Sequence, residues 1–122
     1  MNLGETRKAI EFYEQALVID REIGDRRGEG ADLGNLGLAY ADLGETRKAI
    51  EFYEQALVIA REIGDRRGEG TDLWNTALAL DTLGDRESAI VHAEAALTIR
   101  EEIEDPRAAK VREQLAEWRA EG

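Results

Sequence analysis

The chain has 122 residues, 35% of them charged and 43% apolar, with one proline, no cysteine and a formal net charge of −11. That balance excludes disulfides and thiolate chemistry. It also argues against nucleic acid and anionic membrane surfaces, which need a concentrated basic face. No apolar run approaches the roughly 18–20 residues of a membrane span, and no leader segment opens the chain, so a cytoplasmic setting is the expectation.

The segment GETRKAIEFYEQALVI stands at 4–19 and again at 44–59, and REIGDRRGEG at 21–30 and again at 61–70. A diverged third copy begins at Gly84. The units are therefore 4–43, 44–83 and 84–122. Self-similarity at a fixed period of about forty residues signals stacked supersecondary units, each burying its apolar face on the next.

In chain order, the first predicted element is a long helix from Glu5 to Ile23. Met1-Asn2-Leu3 aligns with Ala41-Asp42-Leu43, the last turn of a shorter helix that is otherwise missing. The long helix then lacks an antiparallel partner, which leaves Ile10, Tyr13 and Leu17 only partly covered. Either the chain was cut from a longer array or another molecule covers this face, and a patch of that kind signals association. Phe12 and, one unit later, Phe52 fall off the main apolar face.

The shorter helix follows over 26–42, with Leu33, Leu36, Gly37, Tyr40 and Leu43 on one stripe. Gly28 and Gly30 in its first turns each cost about 1 kcal/mol relative to alanine, so this end must fray or be held by packing. Gly44 breaks the chain. The second long helix runs from Glu45 to Ile63, with Ala49, Ile50, Tyr53, Ala56, Leu57, Ala60 and Ile63 at helical spacing. Gly64 supplies a left-handed C-terminus and Asp65 an N-cap for the next short helix, 66–82. In the third unit Ala89, Ile90, Ala96, Leu97, Ile99 and Ile103 continue the pattern. Asp105-Pro106 opens a terminal helix, proline at its first position, whose stripe is Ala108, Val111, Leu115 and Trp118.

Leu33-x2-Leu36-Gly37-x2-Tyr40, followed by Ala49-x3-Tyr53 and Ala56, resembles the tetratricopeptide repeat. Leucine stands for the usual tryptophan, the proline between units is absent, and the period is extended. This forty-residue variant resembles the repeats of Leu-Gly-Asn adaptors and the arrays of bacterial signalling NTPases. The resemblance implies an all-α fold, a right-handed α-solenoid of antiparallel helix pairs with about six helices, forming a single domain over 1–122. It also implies a concave groove, lined by the shorter helices, that holds a peptide or a helix.

Opposite the buried stripe those helices carry Asn35, Leu38 and Asp42, then Trp74, Asn75 and Leu78. The two asparagines each offer a donor and an acceptor to an extended backbone. Trp74 stands where the first unit has Gly34; it either anchors a partner in the groove or packs against the neighbouring repeat. No Lys or Arg occupies these positions, so a basic clamp for a terminal carboxylate is not expected. Arg26, Arg27, Arg66 and Arg67 repeat near the entrance, where nearby acids are their natural partners.

Catalytic constellations are missing from the pattern. His92 is the sole histidine, and Gly24-Asp25-Arg26-Arg27-Gly28-Glu29-Gly30 follows a helix and lacks the Gly-Lys-Ser/Thr ending of a phosphate loop. No enzyme activity, cofactor or metal is expected. The functional expectation is a scaffold for a protein or peptide partner. Its alternatives are a self-assembling homodimer through the first helix, with Ile10, Tyr13 and Leu17 at the contact, and a sensor-array fragment of a larger signalling NTPase.

Overall fold

Residues 2–121 are described by the structure, a computed structural model. They form six α-helices and, among the described residues, no strand: α1 (Leu3–Ile23), α2 (Arg26–Asp42), α3 (Thr46–Ile63), α4 (Arg66–Thr82), α5 (Arg86–Glu102) and α6 (Ala108–Glu121). Each helix packs on its chain neighbours, from α1 on α2 to α5 on α6, as an all-α solenoid does.

Local chemistry sets these boundaries. The carboxylates of Asp25, Asp65 and Asp85 accept the backbone N–H of Gly28, Gly68 and Ser88 at 2.9, 2.9 and 3.1 Å, each satisfying an orphan donor of a first turn. Gly64 closes α3 at φ 71°, and Gly44 turns α2 into α3 at φ 79°. Both are left-handed, where glycine carries no Cβ penalty. Forty residues after Gly64, Glu104 takes the same turn at φ 56°. A side chain there costs about 1 kcal/mol.

The two chain ends differ from the sequence expectation. Leu3 is not the tail of a missing short helix; it opens α1, with the Asn2 side chain accepting from the Glu5 N–H at 2.9 Å. Met1 lies outside the described residues. At the other end, α6 becomes regular only at Ala108, because Asp105 first closes a tight turn. Its buried carboxylate accepts the Arg107 N–H at 2.9 Å and the Arg107 guanidinium at 2.8 Å, so it caps a turn before it can cap a helix.

Small residues let the helices approach. A methyl group on Gly37 would overlap the Tyr53 ring and lie 3.2 Å from the Ala49 carbonyl oxygen, so α2 and α3 meet there nearly backbone to backbone. A methyl on Gly30 would stand 3.1 Å from Ile59. Packing on α3 therefore holds the glycine-weakened start of α2. Tyr40 stacks on Phe52 with ring centroids 5.4 Å apart, which brings Phe52 into the seam between α2 and α3. Leu33, Leu36, Ile59, Ile10 and Leu17 form one core cluster across α1, α2 and α3. Val111, Leu115 and Trp118 close the other end against Trp74, Ala89, Ala93 and Ile99.

A candidate peptide groove between α2 and α4

Helices one period apart present equivalent faces to each other across the helix between them. Here α2 and α4 flank a groove of about 400 Å³. Ala31, Gly34, Asn35 and Leu38 line one wall; Thr71, Asp72 and Asn75 line the other. The floor is apolar, built from Ala56, Ile59, Ala60 and Ile63 of α3.

Of the sequence-based candidates, Asn35, Leu38 and Asn75 are brought together here. Both asparagines are half-buried, and neither side chain hydrogen-bonds to another described residue. Their amides are thus free for a ligand backbone. Asp42 and Leu78 are not part of the lining; Asp42 sits exposed at the last turn of α2.

Trp74 requires a correction. It is 8% exposed, with its ring 6.4 Å from that of Trp118. The indole turns inward because α6 brings a second large aromatic ring against α4, and burying that area outweighs leaving it in the groove. Trp74 is a core residue and is unavailable to a partner.

Asp72 was missed as a groove residue. It is only 8% exposed, lines the groove, and its carboxylate accepts no hydrogen bond from a described residue. Its Oδ1 lies 3.7 Å from where a Gly34 Cβ would stand. Burial, then the neighbouring Asp65 carboxylate, push its carboxyl up to about 7. The signal available in sequence was its position three residues before Asn75, the same helical face. One period earlier, Asp32 is raised to about 6 by burial and by Asp20, with Asp25 adding to it. Ala60 replaces Asp20 in the next unit, which leaves Asp72 above an apolar floor.

The repeated arginines are mostly committed to acids. Arg21 and Arg26 hold Glu29 at 3.1 and 3.0 Å, and Arg61 and Arg66 hold Glu69 at 3.2 and 3.0 Å. Arg26 also reaches Glu62, and Arg66 reaches Glu102. Burial opposes the charge on Glu29, yet the two arginines more than offset it and hold the carboxyl below its ordinary value. Arg27, on the groove rim, lies 3.7 Å from Asp65.

Two of the three self-association candidates also need correcting. Ile10 and Leu17 are buried, because α2 folds back over them, and Tyr13 is half-buried. The open face of α1 instead carries Phe12, Ile19 and Ile23, with Phe12 65% and Ile23 70% exposed. Their counterparts Phe52, Ile59 and Ile63 are covered in the seam with α2.

His92 is half-buried on α5, its Nδ1 2.9 Å from the Ser88 carbonyl oxygen. No three acidic or histidine side chains converge as a metal site among the described residues. None of the described helices is long and apolar enough to cross a membrane.

The family model of the tetratricopeptide repeat matches residues 1–62 and 33–102. No curated protein matches the chain. Among solved structures, similarity extends to nearly identical TPR-like repeats of a Podospora anserina protein provisionally named a kinesin light chain. The TM-score is 0.78 at 21% identity, over 94% of this chain and 58% of that one. At that identity the likeness concerns the fold alone, and the chain spans little more than half of its neighbour's length.

Proposed function

The chain belongs to the tetratricopeptide repeat family, and from that premise we propose that it is a non-catalytic protein-interaction module holding a peptide or helix between α2 and α4. The observation that carries this reading is the pair of half-buried, uncommitted amides of Asn35 and Asn75 beside an apolar floor. Free donors and acceptors fix a backbone, and the floor supplies apolar contact. A peptide-array screen with the double variant Asn35→Ala, Asn75→Ala tests it. Loss of at least tenfold in affinity is expected; unchanged binding removes the groove from the reading.

The open face of α1 supports a second reading, self-association of two copies through Phe12, Ile19 and Ile23. The same residue types at the same spacing are covered by a helix in the next unit. Sedimentation velocity over a range of concentrations decides it. A dimer abolished by Phe12→Asp is the expected result, and a monomer at every concentration sinks it.

A further inference from the structure

Asp72 is 8% exposed, and the fold sets its carboxylate against the groove without a partner among the described residues. Burial disfavours the charged form of a carboxylate so placed, and a cation that reaches it stabilises that form. Among the described residues the chain's own cations do not reach it. Arg27 is turned to Asp65 on the rim, and Arg66 is shared between Glu69 and Glu102. Space has been left over the carboxylate instead: Gly34 stands beside it, where the equivalent position one period later is filled by Trp74.

We infer that the groove receives a cationic side chain, the arginine or lysine of a bound peptide, with the Asp72 carboxylate as its counter-ion, an assignment that rests on the peptide-groove reading. The groove is built for both halves of such a side chain. Its floor of Ile59, Ala60 and Ile63 packs on a methylene stem, while the head group meets Asp72 and the amide oxygens of Asn35 and Asn75. The formal net charge of −11 draws a basic segment toward the surface before it docks. The first unit offers no equivalent, since Asp32 there faces Asp20 and Asp25.

The test uses the full chain and fluorescein-labelled nonapeptide sub-libraries whose central residue is fixed as Arg, Lys, Leu or Glu, all other positions being randomised. Fluorescence polarisation should rank the Arg- and Lys-fixed pools at least tenfold tighter than the Leu-fixed pool, with the Glu-fixed pool weakest. Asp72→Asn should erase that preference, bringing the Arg- and Lys-fixed pools to the affinity of the Leu-fixed pool. Gly34→Leu keeps the carboxylate but fills the space above it, and should erase the preference as well; circular dichroism melts show that both variants fold. Equal binding of Arg- and Leu-fixed pools, or a preference that survives Asp72→Asn, overturns the cation assignment and leaves the groove reading standing. Binding of no pool removes the groove reading and this inference with it.

Discussion

Gly34 and Gly37 lie three residues apart on α2, and the structure gives them opposite roles. A methyl on Gly37 collides with the Tyr53 ring, whereas one on Gly34 meets only Asp72 Oδ1 at 3.7 Å. Gly37→Ala should therefore lower stability by about 1–3 kcal/mol through overpacking. Gly34→Ala should raise it by about 0.5–1 kcal/mol through helix propensity. Urea denaturation of the two variants checks the difference in sign. Asp72 makes a further prediction at this scale. Its carboxyl rises from an ordinary 3.8 to about 7 on folding, so the native state holds the proton more tightly than the unfolded chain. The stabilisation from that proton is present below about pH 4 and is lost as pH rises through 7. Asp72→Asn should then match the parent at pH 4 and exceed it by about 2 kcal/mol at pH 8. Thermal melts across that range would contradict this if the two chains stayed parallel. Asp105 has the reverse sign, because Arg107 holds it down at about 2, and its contribution disappears only as pH falls toward that value.

Helices were largely legible from local signals. The 26–42 and 66–82 helices fall where glycine, aspartate caps and apolar spacing place them, since those signals act within one or two turns. The terminal helix was legible as a stripe, and Ala108, Val111, Leu115 and Trp118 are all buried. Its start was not, because the Asp105–Arg107 interaction competes with capping at close range. The least legible feature was the direction of Trp74, whose packing partner lies on a different helix. Trp118→Ala should cost about 3–5 kcal/mol by opening the core between α4, α5 and α6. With Trp74 then the single tryptophan left, its emission should shift to the red as its cover leaves. An unshifted spectrum in the folded variant would show that the two rings do not shield each other.

At the scale of the whole molecule, the chain contains its own control. Residues 4–19 and 44–59 have the same sequence, so any difference between α1 and α3 comes from what covers them. Helix α3 is packed between α2 and α4, while among the described helices α1 has its main packing on α2 and shares a core cluster with α3 on one side only. In a nearest-neighbour stack, amides of α1 should exchange at least tenfold faster than the matching amides of α3 at dilute concentration. Equal protection would mean that another surface shields α1.

That identical segments meet different fates also divides what is local from what is not. Repetition, caps and glycine positions are properties of short stretches of chain, and they were enough to establish six helices in a solenoid. Which residues face the groove depends on helices a period away. Packing turned Trp74 toward Trp118, covered Ile10 and Leu17 with α2, and left Asp72 over an apolar floor. The physical reason is that burial is a relation between distant segments: a helical stripe records that a side chain is apolar, and only the assembled stack decides what lies against it.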